Sequence, residues 1–518
     1  MRRMFVPLAA ALFVATTLAA QNRPARDTTR WEVEGTHGSA DTVRFETTEG
    51  TWINLDVSPD GSWIVFDLLG DIYQMPIGGG HAQLLSGGPA FDHQPRISPD
   101  GRTIVLTSDR SGADNRWLMN ADGSDRRQFT RLDDSLATNP MWMPDGQYVV
   151  VKRHVRSTRS VGGGEIWLYH IEGGSGIKLK ERTSFTSDQN EPYPSPDGRW
   201  VYYSYSGPFD YNRNVHAGIF QVSRLDRVTG RIEQVTAEGG GAVRPTPSHD
   251  ERSLAFVRRI GLKSVLMVRD LASGAERAVF DGLDLDQQET WTIHGVYPGF
   301  QWTPDDRRII ISFGGGIHAI EVATGRDTPI PFTAAVEQVA TQALHFQYAV
   351  PDTVTARIIR WPTLSPEGST LVFQALGHLY RMAWPNGRPE RVTDAAALEF
   401  APSFAGDGRW LTYTTFDEDQ GGHVWKLSLT PGPRGQRPQP VRLTTVPNQY
   451  ANPVFSPDGR WVAFVQGSGI VNRGQDLSGE LYLELAVVST DGGEVRRVIE
   501  TANRGTNRRM PRPRWSGD

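Results

Sequence analysis

The chain has 518 residues, too many for one ordinary hydrophobic core, so it contains either several domains or an array of repeats. Glycine and proline are abundant, at 54 and 34 residues, and this balance favours a turn-rich β protein over a helical one. The net charge of −5 argues against a nucleic-acid-binding surface. The absence of cysteine excludes disulfides and a lipid-modified N-terminal cysteine.

Residues 1–20 have the pattern of a secretory signal peptide. The string MRRMFVPLAAALFVATTLAA has two arginines, then an apolar run, then small residues. The run is short for a membrane span, so we expect cleavage and no transmembrane segment in the mature chain. Residues 21–38 are polar and lack periodicity, which predicts a flexible leader. The sequence therefore predicts a periplasmic or secreted protein.

A turn motif recurs along the rest of the chain at intervals of 40 to 62 residues. Its pattern is P-x-Φ-[ST]-P-[DE]-[GD], followed by an apolar alternation of period two that is typical of a half-buried strand. In SPDG the proline fixes φ, the aspartate can bond its own backbone and the glycine accepts a positive φ. The [ST] position, called the anchor below, is occupied with substitutions by Ser58, Ser98, Met143, Ser195, Ser248, Thr303, Ser365, Ala405 and Ser456, and a further copy, PRWSGD, starts at Pro513.

Each interval contains four short strand patterns. The third strand appears in strings such as DIYQMPIGG and GHLYRMAWPNG, and the fourth in strings such as AQLLS and PERVT. Four antiparallel strands per unit of this size are typical of a β-propeller blade. The connection after Thr303 is the longest and divides the chain near residue 332. We therefore expect an all-β fold of four-stranded blades, with a first propeller of about six blades at 39–331 and a second, incomplete one of about four blades at 332–518.

The residue pattern of the repeat resembles that of the WD-like, TolB-type propeller repeat family. Longer strings, including TTEGTWINLDVSPDG, FDLLGDIYQMPIGGG, GPAFDHQPRISPDG and QETWTIHGVYP, resemble the N-terminal propeller region of exported propeller–amidohydrolase fusion proteins. This second resemblance covers nearly all of residues 31–493. It implies a hydrolase of C–N bonds whose metal, zinc, is held by an amidohydrolase domain that follows the propeller.

The motifs of known hydrolases are missing from this sequence. No two of the twelve histidines lie within ten residues of each other, so there is no H-x-H pair for a metal ion. The strings QGSGIV and GGSGI do not fit the G-x-S-x-G elbow of a serine hydrolase. The acidic string DGLDLDQQE lacks the spacing of a calcium loop. We therefore expect no catalytic residue, no metal ligand and no cofactor in this chain.

Alignment of the repeats on their anchors identifies one candidate binding surface. The residue four positions before each anchor precedes an innermost strand and is expected at one mouth of the central channel. Converging polar groups around such an opening are a default binding site, and the alternative is that they only satisfy strand ends and channel water. The candidates are Asn54, Gln94, Asn139, Glu191, Arg244, Trp361 and Asn452, with His93 and Asn190 beside them.

Three functions remain open at this point. The first is a non-catalytic exported module that binds a substrate, or gates its access, for a catalytic domain that follows it in the chain. The second is a TolB-like scaffold of the cell envelope that binds a protein or peptide partner. The third is the propeller of a serine peptidase-type hydrolase.

Overall fold

The computed structural model of the chain describes residues 32–35, 38–155, 163–208, 218–261, 263–290, 293–341, 349–417, 419–430, 438–467, 482–502 and 511–516. The predicted signal peptide and most of the predicted leader lie outside the described residues. Every regular element in the described ranges is a strand, and these ranges contain no helix long and apolar enough to cross a membrane. The predicted all-β class is confirmed.

The repeated turn is held by its anchor hydroxyl. Ser98 Oγ donates to Asp100 Oδ1 at 2.6 Å and accepts the N–H of Thr103, the first residue of the next strand, at 2.9 Å. Gly101 has a φ of 73° and donates its N–H to the carbonyl of Ser98 at 2.9 Å. The same hydroxyl contacts recur at the anchors Ser58, Ser195, Ser248, Thr303 and Ser456. The motif is thus a hairpin turn that joins the first two strands of each sheet.

Six antiparallel sheets, each with four consecutive strands, follow one another from residue 55 to residue 330. Their strands are β2 (Leu55–Val57), β3 (Trp63–Leu68), β4 (Asp71–Pro76) and β5 (Gly80–Ser86); β6 (Asp92–Ile97), β7 (Thr103–Ser108), β8 (Asn115–Asn120) and β9 (Arg127–Gln128); β10 (Ser135–Trp142), β11 (Tyr148–Val155), β12 (Gly164–His170) and β13 (Gly173–Lys180); β14 (Asp188–Pro194), β15 (Trp200–Ser206), β16 (Phe220–Asp226) and β17 (Ile232–Gln234); β18 (Val243–Pro247), β19 (Ser253–Ile260), β20 (Lys263–Asp270) and β21 (Glu276–Leu283); β22 (Gln301–Trp302), β23 (Arg308–Phe313), β24 (Gly316–Glu321) and β25 (Asp327–Ile330). We refer to these six sheets as the first ring.

The first ring closes on itself. Strand β2 of the first sheet contacts β22 and β23 of the sixth. The N–H of Leu55 donates to the carbonyl of Gly299 at 3.0 Å, and Asn54 Oδ1 accepts the N–H of Gly299 at 2.9 Å. One buried apolar cluster contains Leu55 and Phe66 from the first sheet together with Ile310 and Ala319 from the sixth. The closed arrangement of four-stranded sheets is that of a β-propeller.

Two further strands extend the first sheet outward. Strand β26 (Phe332–Thr341) pairs parallel to β5, and β1 (Ala40–Thr47) pairs antiparallel to β26. The ring of Phe332 packs 5.3 Å from that of Phe66, and Tyr73 donates its hydroxyl to the carbonyl of Ala335 at 3.1 Å. The alternation of buried and exposed residues in β26 explains this pairing, because its apolar face covers the edge of the sheet. Residues 332–341 thus lie with the first ring, whereas the sequence places the start of the second propeller at 332.

Three further four-stranded sheets follow in the described part of the chain, where the sequence predicts about four blades. Their strands are β27 (Arg360–Leu364), β28 (Thr370–Ala375), β29 (His378–Ala383) and β30 (Glu390–Arg391); β31 (Leu398–Phe404), β32 (Trp410–Asp417), β33 (Gly421–Ser428) and β34 (Val441–Arg442); β35 (Tyr450–Phe455), β36 (Trp461–Gly467), β37 (Tyr482–Ser489) and β38 (Arg496–Ala502). Strand β27 contacts β31, and β31 contacts β35, so the innermost strands lie side by side as they do in the first ring.

A tryptophan directly before the anchor joins neighbouring sheets. The indole N–H of Trp142 donates to the carbonyl of Arg96 at 3.0 Å, and that of Trp302 donates to the carbonyl of Thr246 at 2.9 Å. In both cases the acceptor lies two residues before the anchor of the preceding sheet. Trp515 makes the equivalent contact with the carbonyl of Val454 at 3.3 Å. Residues 511–516 therefore lie against β35 as an innermost strand lies against the preceding sheet.

Candidate functional site

The residues predicted at the channel mouth share an unusual backbone conformation. Gln94, Asn139, Glu191 and Arg244 have φ values of 54°, 51°, 55° and 56°, in the left-handed region that non-glycine residues rarely occupy. The strand pairing shifts register at each of these positions. The innermost strand therefore carries a bulge at the same place in four successive sheets. Such strain persists only where surrounding contacts stabilise it, and it is concentrated at functional sites.

At Gln94, Asn139 and Arg244 a side chain of the preceding sheet accepts the backbone N–H, whereas the N–H of Glu191 donates to Oδ1 of the adjacent Asn190 at 3.0 Å. Asp67 Oδ2 accepts the N–H of Gln94 at 2.9 Å, and Gln94 Oε1 accepts the N–H of Asn139 at 2.7 Å. Glu191 Oε2 accepts the N–H of Arg244 at 2.6 Å. These contacts make a chain of hydrogen bonds that runs from sheet to sheet around the mouth.

Residues 293–299 belong to the connection between β21 and β22 and lie across this mouth. They are called the cap segment below. Glu191 Oε1 accepts the N–H of Val296 at 2.5 Å, and Arg244 Nε donates to the carbonyl of Tyr297 at 2.9 Å. Gln94 Nε2 donates to the carbonyl of His294 at 2.5 Å. The polar side chains predicted at the mouth of the first ring thus bind a segment of their own chain.

All seven predicted residues of the first ring are buried: Asn54, His93, Gln94, Asn139, Asn190, Glu191 and Arg244. Asn54 joins the network by donating to Asp67 Oδ2 at 2.8 Å, and Asn190 Oδ1 accepts from Asn139 Nδ2 at 3.1 Å. The other two predicted residues belong to the later sheets. The ring of Trp361 in β27 lies 5.9 Å from that of Phe400, and Asn452 in β35 donates to the carbonyl of Pro511 at 2.8 Å.

Burial determines the electrostatics of the mouth. Burial raises the pKa of Asp67 to about 6, although hydrogen bonds from Gln94 and Asn54 oppose the shift. Burial also lowers the pKa of Arg244 to about 10, while Glu191 acts in the opposite direction. The guanidinium stays charged at neutral pH, and Nη2 of Arg244 lies 3.4 Å from Oε1 of Glu191. Under the cap segment there is thus a buried ion pair between Arg244 and Glu191.

A cavity of about 840 Å³ opens beside the capped mouth. This volume lies in the range of small-molecule binding sites. Its wall includes aromatic and polar side chains together with residues 293–295 of the cap segment; those used below are Phe45, Trp52, Phe91, Asn54, Asp67 and His93. Trp52 has a φ of 60°, and its ring lies 6.0 Å from that of Tyr297 in the cap segment. Two residues that the sequence places at the mouth, Asn54 and His93, thus contribute to the cavity.

Two histidines and one aspartate meet at the edge of the cavity. His294 Nε2 lies 2.9 Å from Asp114 Oδ2, and the rings of His93 and His294 are 4.8 Å apart, edge to face. Burial lowers the pKa of His93 well below its usual value, and the neighbouring His294 adds to the effect. Burial alone would raise the pKa of Asp114, but the hydrogen bond to His294 and the charges of His294, His93 and Arg116 together outweigh burial, so the pKa is lowered. Sequence reasoning missed this cluster, because its members are distant along the chain.

Two carboxyl groups behind the cavity predict a pH dependence of stability. Burial, reinforced by the charge of Asp92, raises the pKa of Asp71 to about 7, and Asp71 Oδ2 accepts a hydrogen bond from Gln338 at 2.8 Å. Since an unfolded aspartate titrates near 4, the native state holds an extra proton between about pH 4 and 7, and stability is lost as the pH rises through that window. Asp71→Asn removes the charge, so we expect it to stabilise the protein by about 1–2 kcal/mol at pH 8 and by much less at pH 5. Urea unfolding at the two pH values measures the difference.

Asp60→Asn is the matched control for this pH dependence. Asp60 lies in the first repeated turn, where hydrogen bonds from Ser58 and Ser62 lower its pKa to about 2. It is therefore ionised at both pH values, and the variant is expected to lose stability equally at pH 5 and pH 8. A stabilisation by Asp71→Asn that does not change with pH would contradict a raised pKa at residue 71.

Comparison with known proteins agrees with the repeat architecture. Residues 44–207 match the family model described as the TolB beta propeller domain. The protein "Uncharacterized peptidase YuxL" of Bacillus subtilis (strain 168) is 29% identical over 139 residues, which cover 21% of each chain. The Tol-Pal system protein TolB of Bordetella pertussis is 40% identical over 58 residues, which cover 11% of this chain and 13% of that one.

Structural comparison gives a more distant match. A crystal structure of the tricorn protease is 13% identical and covers 88% of this chain and 45% of that one, with a TM-score of 0.41. The chain spans half or less of the length of the curated relatives it matches. With the turns and the four-stranded sheets, the match confirms the resemblance of the repeat: residues 44–207 are similar to the TolB beta propeller domain.

Proposed function

We propose that the first ring is an exported binding module that accepts a peptide-sized ligand in the cavity beside its capped mouth and presents it to a hydrolase. The observation that carries this proposal is the cavity of about 840 Å³, which borders both the innermost strands and the cap segment. A propeller without catalytic residues of its own contributes to hydrolysis by holding a substrate or by controlling its access. Catalysis would come from a domain that follows in the chain or from a partner protein.

The cavity wall supports a ligand with both apolar and polar groups. The ring of Phe91 is half exposed, and Trp52 offers a second aromatic surface on which an apolar side chain can stack. The side-chain oxygens of Asn54 and Asp67, in the same cavity wall, can accept hydrogen bonds from the backbone amides of a ligand. The similarity to a protein named as a peptidase supports a peptide as the ligand class.

Titration with tripeptides that carry a central phenylalanine tests this function, with tryptophan fluorescence as the readout. We expect saturable binding by the full chain, and Trp52→Ala is expected to weaken it by about fivefold to thirtyfold, because one buried aromatic contact contributes about 1–2 kcal/mol. Trp384→Ala is the control, since Trp384 lies half exposed after β29, outside the first ring. Binding that is the same in the wild type and in the Trp52 variant would overturn the proposal.

A protein-binding scaffold is the second candidate, and strand β1 favours it. This strand forms the outer edge of the first sheet, and its residues Val43 and Phe45 are 46% and 44% exposed. An open strand edge can pair with a strand of another protein. Failure of every tripeptide to bind, in protein that is folded, would favour this candidate over the first.

A further inference from the structure

The cluster of His93, Asp114 and His294 draws on three separate parts of the first ring. His93 lies in β6, Asp114 lies directly before β8, and His294 lies in the cap segment. One nitrogen or oxygen from each residue lies within 4.8 Å of the other two. The closed propeller brings together three potential metal ligands that are up to 201 positions apart in sequence.

The nitrogen His93 Nε2 has no hydrogen-bond partner among the described residues. The side chain is 4% exposed, so water does not reach this nitrogen freely. Leaving a buried polar atom without a partner costs about 1–3 kcal/mol, and native structures do so rarely. An unpartnered nitrogen on a buried imidazole that lies beside a second imidazole and a carboxylate is an arrangement that a bound cation would satisfy.

We propose that His93, Asp114 and His294 bind one divalent cation of the zinc class, with an open coordination position toward the cavity. Two imidazoles and one carboxylate, with a fourth position left for water or a ligand, form a donor set that zinc accepts in proteins. Divalent iron, cobalt and nickel accept the same donors, so the ion present depends on supply as well as on affinity. This site goes beyond the proposed peptide binding and does not depend on it.

Binding requires a modest contraction of the cluster. Bonds of about 2.0–2.1 Å in tetrahedral geometry place neighbouring ligand atoms about 3.3 Å apart, so some of the present separations must shorten. His294 can make this movement, because its side chain is 44% exposed and lies at the surface of the cap segment. The ion would replace the present hydrogen bond between His294 and Asp114 with two stronger contacts.

The surrounding charges act in both directions. The guanidinium of Arg116 interacts with Asp114 and opposes a cation, whereas the carboxylate of Asp109 interacts with Asp114 and favours one. The cavity wall adds the carboxylates of Glu49 and Asp67 and contributes no lysine or arginine side chain. The net field of the described groups on the cavity side therefore favours a cation.

The test uses the full chain after treatment with a chelator. Titration with zinc chloride, followed by calorimetry, is expected to give one zinc ion per chain. Loss of a hydrogen-bond partner of a metal ligand already weakens metal binding about 10–100-fold, so removal of a direct ligand is expected to weaken it by more than about 100-fold. His294→Gln is the principal variant, because its half-exposed side chain can change without disturbing the fold, and His93→Gln and Asp114→Asn are expected to behave alike.

His249→Gln is the matched control. His249 is also half exposed and also lies 2.8 Å from an aspartate, Asp306, but it has no second imidazole beside it among the described residues. Zinc affinity is expected to stay at the wild-type value in this variant. Cobalt(II) gives a second readout, since its visible absorption changes on coordination to nitrogen ligands and should be lost in His294→Gln.

Any of three outcomes would overturn the proposal. One is the absence of a zinc-binding event in folded wild-type protein, and another is wild-type affinity in His294→Gln. Equal loss in His249→Gln would indicate nonspecific binding by surface histidines and would also overturn it. Tripeptide binding is measured separately in metal-free protein, so failure of the metal site and failure of the proposed peptide binding can be told apart.

Discussion

Replacing Glu191 with alanine is expected to destabilise the first ring by about 3–5 kcal/mol, the cost of breaking a buried ion pair from one side. The carboxylate is fully buried and accepts hydrogen bonds from the hydroxyl of Ser204 at 2.7 Å and from the backbone N–H groups of Arg244 and Val296 at 2.6 and 2.5 Å. Alanine would leave these donors without an acceptor. It would also leave the buried guanidinium of Arg244 without its nearest negative charge.

Urea unfolding followed by circular dichroism measures this loss. Glu191→Gln keeps the shape and one acceptor oxygen, so we expect a smaller loss than with alanine. Glu172→Ala is the surface control, because the Glu172 side chain is 71% exposed and its ion pair with Arg127 contributes less than about 1 kcal/mol. A Glu191→Ala variant as stable as the Glu172 control would mean that the cap segment is held by contacts other than this carboxylate.

The same residue shows what repeat registration can and cannot predict. Counting four positions back from the anchor predicts a channel-mouth position for Glu191, because the sheets share one repeated pattern. The backbone bulge recurs at that position, with φ near 50° even at Trp361 and Ala401 in the later sheets. The partner of Glu191 could not be predicted, because the cap segment belongs to a connection between sheets and follows no repeat.

The histidine cluster had no sequence signal for a related reason. Metal ligands are recognisable in a sequence when one element carries two of them at a fixed spacing, as in H-x-H on a strand. His93 and His294 come from the second sheet and from the connection before the sixth, and ring closure alone brings them together. The resemblance of the string QETWTIHGVYP to another family marked this connection as distinctive, but it gave no role to any of its residues.

The strand β26 was not predicted from the sequence. The repeat pattern indicates only a long connection after Thr303, whereas the structure contains a strand there. Which sheet it joins depends on an open edge of β5 that is distant in sequence, so the pattern alone could not place residues 332–341 with the first ring. The partner of such a strand is determined by which sheet edges remain uncovered, and the repeat pattern does not contain that information.

The tryptophans show that a repeat position can be more informative than a residue type. The repeat predicts that Trp117, Trp167 and Trp425 in third strands pack between neighbouring sheets, and each is partly buried against a cluster that contains residues of two sheets. The tryptophans that also hydrogen-bond one sheet to the next lie directly before the anchors, at 142 and 302. Aligning the anchors in the sequence shows a tryptophan directly before two of them, at 142 and 302.

Trp302→Ala is expected to destabilise the first ring by about 3–5 kcal/mol, the usual cost of removing a buried tryptophan side chain. Trp302 is 2% exposed and belongs to an apolar cluster that joins the fifth and sixth sheets, with Val243 on one side and Phe300 and Ile309 on the other. Trp302→Phe separates packing from hydrogen bonding, because it keeps an aromatic ring but leaves the carbonyl of Thr246 without its donor, a loss of about 1 kcal/mol beyond the smaller volume. Urea unfolding followed by circular dichroism should therefore give two clearly different midpoints. If phenylalanine were as destabilising as alanine, the hydrogen bond rather than packing would dominate the junction between the two sheets. If alanine were tolerated, the sixth sheet would close the ring without the Trp302 side chain.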